Sequence, residues 1–369
     1  MNIIANGADN GPQSPAEPEN KRVMTVTASK GFKTFLETNN ISIALTTYQS
    51  GRLIVVGGNR NAARLHFSEL RLKRPMGLAL QNASLAVATK GQIARFSNVL
   101  HGVRSEGTAV DALYVQKSTN STSDVDTHDV AFGDDGTVYF VNTQFSCLCT
   151  PSETHSFKSI WKPPFITKLA SEDRCHLNGL AMRDGKPAYV TICGMTDEKN
   201  KWKDERTGNG VVMAIDGNKV VCKGLTMPHS PRWHDGQLWL LNSGTGEIGT
   251  VNLKTNKFQP RIFLPGYLRG LAFSGRYAIV GLSKPRENSV FAGLPLQAEI
   301  ERRGQEPVCG IYVIDTEKNS IEHTLLFEGV ITELYDTAIM AGVSRPALTP
   351  PGDQQKQRIV TIESDDPRG

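Results

Sequence analysis

The chain repeats one short phrase five times: a few apolar residues, a turn and a second apolar run. Successive copies begin roughly 40–50 residues apart, and each leaves room for several strands. A repeat of this kind is typical of a β-propeller, in which every copy forms one blade around a central channel. The copies are Arg74–Leu80, Thr127–Phe132, His176–Met182, His229–Trp233 and Leu268–Phe273.

The extent of the repeat sets the expected number of blades. It runs from about residue 40 to about residue 340, which accommodates six four-stranded blades of about 50 residues each, with seven as the alternative. We therefore predict one all-β propeller domain over residues 26–342. The polar segments 1–25 and 343–369 are predicted to be a disordered N-terminal tail and a flexible C-terminal tail.

Three local patterns refine this prediction. Phe32–Glu37 and Pro295–Arg303 have the composition of short helices, and the second is expected to end at Gly304. The segment Ile331–Met340 is expected to supply the strand that closes the ring.

Bulk composition excludes several functional classes. The net charge of +4 is small, and no dense Lys/Arg block suggests a nucleic-acid partner. No apolar stretch approaches the roughly 18–20 residues needed to span a bilayer. The N-terminus lacks the pattern of a secretory signal, so we predict a cytoplasmic protein whose six cysteines are reduced. Cys147 and Cys149 are expected on one strand, poorly placed for bridging.

Histidines mark the strand starts of three consecutive blades. His128, His176 and His229 stand there, and Arg269 stands at the start of the sixth blade. Inner strands of a propeller meet around one axis, so these side chains are candidate catalytic residues. The three imidazoles are also tentative ligands for a divalent metal ion, the only cofactor that the pattern suggests. Alternatively, each ring satisfies a backbone carbonyl in the channel.

Three further residues are candidates for substrate binding. Asp129 and Asn178 closely follow the histidines and could orient a ring or bind a ligand, although such residues often form turn hydrogen bonds. Arg232, like Arg269, could bind a carboxylate or phosphate. The alternative for either arginine is an internal ion pair with Glu333, Asp336 or Asp129.

Several segments carry a resemblance to a known family. Thr127–Phe132, Cys175–Ala181, Met227–Trp233, Trp239–Glu247 and Leu264–Phe273 resemble a bacterial family of conserved hypothetical proteins that carry a domain of unknown function. The resemblance covers residues 40 to 340 and implies no particular activity. In architecture the blade phrase also resembles lactonase/strictosidine-synthase-like and NHL propellers, but the first-blade glutamate that binds calcium in the lactonase type has no counterpart here.

Two functional hypotheses follow. The first is a small-molecule binding protein or a metal-dependent hydrolase or lyase, with its site at the central channel. The second is a non-catalytic propeller that presents its surface to a protein partner. They differ in where polar and apolar residues gather, since a site needs polar side chains in the channel and a scaffold needs an exposed apolar rim. The sequence does not decide whether the protein is an enzyme, and it predicts no oligomeric state.

Overall fold

A computed structural model describes residues 24–60, 62–101, 109–285, 293–349 and 359. Strands dominate it, and the two α-helices are α1 (Phe32–Thr38) and α2 (Pro295–Arg302). The strands are β1 (Met24–Ala28), β2 (Ile41–Thr47), β3 (Arg52–Gly57), β4 (His66–Arg71), β5 (Leu78–Gln81), β6 (Ser84–Thr89), β7 (Gln92–Asn98), β8 (Ala112–Ser121), β9 (Thr127–Phe132), β10 (Val138–Asn142), β11 (Cys147–Thr150), β12 (Lys158–Trp161), β13 (Leu177–Arg183), β14 (Lys186–Ile192), β15 (Gly210–Ala214), β16 (Lys219–Leu225), β17 (Pro228–His234), β18 (Gln237–Asn242), β19 (Glu247–Asn252), β20 (Lys257–Phe263), β21 (Tyr267–Ser274), β22 (Tyr277–Ser283), β23 (Gly310–Asp315), β24 (Ser320–Gly329), β25 (Asp336–Ala341) and β26 (Pro346–Leu348).

These strands form six antiparallel blades, which confirms the predicted six-bladed propeller. From the axis outward the first blade is β25-β2-β3-β4, and the second is β5-β6-β7-β8. The third to sixth blades are β9-β10-β11-β12, β13-β14-β15-β16, β17-β18-β19-β20 and β21-β22-β23-β24. Because β25 comes from the end of the propeller and pairs with β2 from its beginning, the ring is closed as predicted.

Two extra strands tie the ends of the described chain to outer blade edges. Strand β1 pairs antiparallel with β24 of the sixth blade, and β26 pairs parallel with β8 of the second. They occupy residues 24–28 and 346–348, close to the predicted limits of 26 and 342. Residues 1–23 of the predicted N-terminal tail and most of the predicted C-terminal tail beyond residue 349 lie outside the described residues. Both helices lie where the sequence predicts them, and α1 buries Phe32, Phe35 and Leu36 against the sixth and first blades.

Blades are held together by apolar packing and by a recurring hydroxyl hydrogen bond. Apolar side chains such as Val55, Val87 and Phe96 are fully buried between neighbouring blades, where each contributes about 1.5–3 kcal/mol through burial. In four blades, a Ser or Thr at or near the end of the second strand donates to a carbonyl just before or within the next inner strand. The pairs are Thr46–Met76, Thr143–Leu177, Ser243–Leu268 and Ser283–Leu334, at 2.6–2.9 Å.

Among the described residues, no helix is long and apolar enough to cross a membrane.

Candidate functional site

The six inner strands all run in one direction along the channel, so the channel has two chemically different mouths. The strand starts bring His128, His176, His229, Arg269 and Tyr335 together at one end, which we call the histidine mouth. The strand ends place one apolar residue of each blade at the other end, which we call the apolar mouth. Its six residues are Leu80, Phe132, Met182, Trp233, Phe273 and Ile339.

Between the mouths, glycine alternates with a hydrogen-bonding residue from blade to blade. Asp129, Ser230 and Asp336 each accept a backbone N–H of the next blade, from Leu180, Gly270 and Leu78 respectively, at 2.9–3.0 Å. The blades between them place Gly77, Gly179 and Gly270 at the same level. A Cβ at Gly77 would lie 2.8 Å from the Asp129 Cα, and one at Gly270 would lie 2.7 Å from the Thr337 nitrogen. The close approach of the strands therefore requires glycine here.

Arg232 fills the channel just below this level. Its Nη1 donates to Asp129 Oδ2 at 2.9 Å, and its Nη2 lies 3.5 Å from Asp336 Oδ1. It also donates to the carbonyls of Leu180 and Leu271, so one side chain links five blades. Arg232 therefore forms an internal ion pair, which was the alternative to binding an anion. Asp129 is its partner and also accepts a backbone N–H from the next blade.

The repeat explains why there is space for this arginine. At the position that Arg232 occupies in the fifth blade, each of the other five blades carries alanine. One long side chain therefore enters a channel that is otherwise lined by methyl groups at this level. The five alanines are Ala79, Ala131, Ala181, Ala272 and Ala338.

At the histidine mouth, His176 is held by Asp173 and Trp202. Asp173 Oδ2 accepts from the ring Nδ1–H at 2.9 Å, and Oδ1 accepts from the backbone N–H of His176 at 3.1 Å. The Trp202 indole stacks on the imidazole at 3.9 Å and donates its Nε1–H to Asp173 Oδ2. His176 has a left-handed backbone with φ 48, which is uncommon for a non-glycine residue. These contacts fix the tautomer and leave the lone pair on Nε2.

His128 presents its ring edge to His176. The two ring centroids lie 4.7 Å apart, with the planes at 84°. Thr143 Oγ1 donates to the carbonyl of Leu177, so it accepts from His128 Nδ1–H, which also points at the Asp126 carbonyl. The lone pair of His128 is therefore also on Nε2, and no described residue hydrogen-bonds the Nε2 of either His128 or His176.

His229 differs, because protein groups engage both of its ring nitrogens. Nδ1–H donates to the Met227 carbonyl at 2.8 Å, and Nε2 accepts from the Asn178 amide at 3.1 Å. In the repeat, Asn178 occupies the position of His128 and His229, whereas His176 stands two residues earlier. A three-histidine metal site would have to break the Asn178 bond. The described residues contain no group of three His, Cys, Asp or Glu side chains placed to hold a metal ion, so these residues do not fit the predicted metal centre.

Arg269 lies among three tyrosine rings. Its guanidinium carbon is 4.9 Å from the Tyr335 centroid, 5.2 Å from that of Tyr267 and 5.7 Å from that of Tyr48. Tyr335 is 6% exposed, and its hydroxyl has no hydrogen-bond partner among the described residues. The ring of Tyr335 also lies 5.8 Å from His128. An uncharged phenol donor thus stands beside the Arg269 guanidinium and the His128 imidazole.

Burial sets the charge states of this mouth. Burial lowers the pKa of His128 to about 4, although the Asp126 carboxylate opposes the shift. It also lowers the pKa of His229 well below its usual value, with help from Arg269. Burial also raises the pKa of Tyr335 well above its usual value, so its hydroxyl keeps its proton. Burial disfavours the charge on Asp173, but the neighbouring His176, His128 and Trp202 outweigh it and lower its pKa.

The structure thus brings His128, His176 and Arg269 to one mouth, while His229 and Asn178 form a pair beside them. Asp129 and Arg232 belong to the channel interior. Asp173 and Trp202 could not be identified from the repeat, because both lie in segments between strands. Trp202 is nearly fully buried although it stands in a charged loop. A single tryptophan among charged residues was the one sequence feature that could have indicated that this loop packs against the site. All six cysteines are free, and Cys147 and Cys149 lie on β11 as predicted.

One chain of a solved complex shares this fold. The structure is similar to a chain of a solved nidogen/laminin complex, with 13% sequence identity, a TM-score of 0.52, and coverage of 82% of this chain and 98% of that one. A protein of unknown function from Bacteroides caccae gives 8% identity, a TM-score of 0.49 and coverage of 81% and 98%. No curated protein matches the sequence. Residues 30–349 match the family described as Domain of unknown function (DUF4915), so this six-bladed propeller belongs to that family.

Proposed function

We propose that the protein binds a small anionic molecule at the histidine mouth and that His176 exchanges a proton with it. The observation that carries this proposal is the pairing of His128 and His176. Both rings donate a hydrogen bond through Nδ1–H and so share one tautomer, and their centroids lie 4.7 Å apart. The Nε2 of each ring has no hydrogen-bond partner among the described residues. Rings that only satisfied backbone carbonyls would need no such arrangement around two Nε2 atoms.

The two histidines are suited to different tasks. Asp173 stabilises the imidazolium that forms when His176 accepts a proton at Nε2, which is how carboxylates support basic histidines in many enzymes. Among the described residues, the carboxylate of Asp126 lies 3.7 Å from His128 Nδ1, beyond hydrogen-bond distance, and burial favours the neutral ring. Its Nε2 is therefore a hydrogen-bond acceptor for a substrate hydroxyl or amine.

Anion recognition is assigned to Arg269 and Tyr335. A guanidinium presents a rigid set of donors that matches the oxygens of a carboxylate or phosphate. Tyr335 adds an uncharged hydroxyl that is buried without a partner among the described residues, and such a group gains free energy from a ligand that accepts its hydrogen bond. The proposal does not include a metal ion, because Asn178 engages the Nε2 of His229.

The test is a titration with acetate, malonate, succinate and inorganic phosphate, followed by tryptophan fluorescence, since Trp202 stacks on His176. At least one anion should give saturable binding that Tyr335→Phe weakens about tenfold, because that change removes only the hydroxyl. His155, an exposed histidine, supplies the matched control His155→Asn, which should bind like the wild type. Binding that Tyr335→Phe and His176→Asn both leave unchanged, or the absence of binding by all four anions, would overturn the proposal.

A further inference from the structure

The two Nε2 atoms of the histidine mouth restrict the chemistry of the group that lies between them. His128 is 7% exposed and His176 is 8% exposed, so both rings are nearly enclosed and keep only a small accessible surface. Protein groups already engage the Nδ1 of each ring. Nε2 is therefore the ring atom that a ligand can hydrogen-bond in each case.

The two rings need opposite hydrogen-bond partners. Burial lowers the pKa of His128, so its neutral Nε2 accepts a hydrogen bond and requires a donor from the ligand. His176 is hydrogen-bonded to the carboxylate of Asp173, which stabilises the imidazolium, and a protonated Nε2 donates a hydrogen bond. A ligand group between the rings must therefore donate to one nitrogen and accept from the other.

A hydroxyl meets both requirements with a single oxygen atom. It has one O–H donor and two lone pairs. A hydrogen bond to each Nε2 needs a separation of about 2.7–3.0 Å, and rings whose centroids lie 4.7 Å apart are close enough to share one oxygen. A carboxylate only accepts and an ammonium group only donates, so either of them leaves one of the two rings without a partner.

Tyr335 connects the histidine pair to the proposed anion site. Its ring centroid is 4.9 Å from the guanidinium carbon of Arg269 and 5.8 Å from the centroid of the His128 ring. The Tyr335 hydroxyl has no hydrogen-bond partner among the described residues and can donate to a carboxylate oxygen. Because one side chain lies beside both places, the carboxylate and the hydroxyl of the ligand are expected on neighbouring carbon atoms.

We infer that the histidine mouth binds a 2-hydroxy carboxylic acid, with its hydroxyl oxygen between the Nε2 atoms of His128 and His176 and its carboxylate beside Tyr335. This substrate class rests on the function proposed above and adds the hydroxyl to it. Carboxylates without the hydroxyl and the corresponding amino acids bind less tightly.

Two sets of ligands that differ at one carbon atom test this inference. Malate, succinate and aspartate carry a hydroxyl, a hydrogen and an ammonium group there, and glycolate, acetate and glycine form the smaller set. Each is titrated against the full chain and followed by tryptophan fluorescence. In at least one set the hydroxy acid should bind about tenfold or more tightly than both analogues, because polar groups placed for a hydroxyl stay unpaired without it.

A variant of His128 locates the hydroxyl. His128→Asn removes the accepting nitrogen and should reduce the preference for the hydroxy acid over its parent to less than about twofold. The exposed His155 supplies the matched control His155→Asn, which should keep the full preference. The wild-type comparison decides the matter even if His128→Asn does not fold.

The outcomes separate this inference from the function on which it rests. Equal binding of the hydroxy acid and its parent in both sets, or a preference that His128→Asn retains, would overturn the hydroxyl assignment and leave the anion site in place. Binding of none of these acids would overturn the anion site itself, and the hydroxyl assignment with it.

Discussion

Asp173 binds His176 at two points, through the ring Nδ1–H and through the backbone N–H. The two bonds hold the imidazole in one orientation and support a left-handed backbone that an isolated histidine would seldom adopt. Trp202 then covers one ring face and binds the same carboxylate. The loop that carries Trp202 and the start of β13 are thereby joined into one rigid group at the histidine mouth.

The first prediction concerns this pair. Asp173→Asn should destabilise the fold by about 1–3 kcal/mol, because a buried charge-assisted hydrogen bond is lost. It should also disturb the single His176 tautomer, which ¹⁵N-edited NMR of the imidazole nitrogens reports. The exposed Asp204 lies on the loop that carries Trp202, and Asp204→Asn should change neither property. An unchanged His176 spectrum in Asp173→Asn would show that the carboxylate does not position the ring.

The second prediction concerns acid stability. His128 has a pKa of about 4 in the fold, below its unfolded value of about 6.5. Between these values the unfolded chain binds more protons, so stability is lost as the pH falls from about 6.5 toward 4. His128→Gln cannot titrate, so its melting temperature should fall less than that of the wild type over this window, by an amount equivalent to roughly 2–3 kcal/mol. If the melting temperatures of the wild type and of His128→Gln fall by the same amount between pH 6.5 and pH 4, the assignment of a neutral buried His128 is contradicted.

The third prediction concerns the channel interior. Arg232→Met leaves Asp129 and Asp336 buried beside each other without their cation, so it should cost about 3–5 kcal/mol of unfolding free energy. The comparison is Arg302→Met, because the Arg302 side chain is 66% exposed in its pair with Glu299 and such pairs contribute at most about 1 kcal/mol. Denaturant unfolding measures both. Equal losses would mean that Arg232 does not link the blades as described.

The fourth prediction concerns the glycine level of the channel. Gly270 and Gly275 both have positive φ, but only Gly270 lies against the neighbouring blade. Alanine at either position must adopt a left-handed backbone. At Gly270 its Cβ would also lie 2.7 Å from the Thr337 nitrogen, which should add about 1–3 kcal/mol to the loss of stability. Thermal unfolding of Gly270→Ala and Gly275→Ala separates the two effects. Similar melting temperatures would show that the strands are not as close as the structure has them.

The repeat allowed the sequence to predict much of this molecule, because each blade is built from the same short-range pattern. The six blades, the closing strand that contains Met340 and the placement of His128 and Arg269 all follow from it. Aligning the repeats also shows the alanines that occupy the position of Arg232 in the other blades. They indicate space for the arginine only once the six inner strands are known to surround one axis. Only then does a single arginine among five alanines indicate a filled channel.

The parts that were not predicted depend on contacts between distant segments. His176 was treated as equivalent to His128 and His229, whereas Asn178 takes that position and binds His229. Asp173 and Trp202 reach His176 from outside the inner strand, so no periodicity reveals them. The metal hypothesis depended on three equivalent rings, and it does not fit because the second ring nitrogen of His229 is already bonded.

The central claim is that His128 and His176 together face a ligand through Nε2 while His229 does not. Imidazole ¹⁵N NMR of the full chain, titrated with the anion that binds most tightly, tests it directly. We predict that the Nε2 resonances of His128 and His176 shift with a common dissociation constant while those of His229 stay in place. Shifts of all three rings on addition of Zn²⁺, with loss of the Asn178 hydrogen bond, would contradict the account and restore a shared metal site.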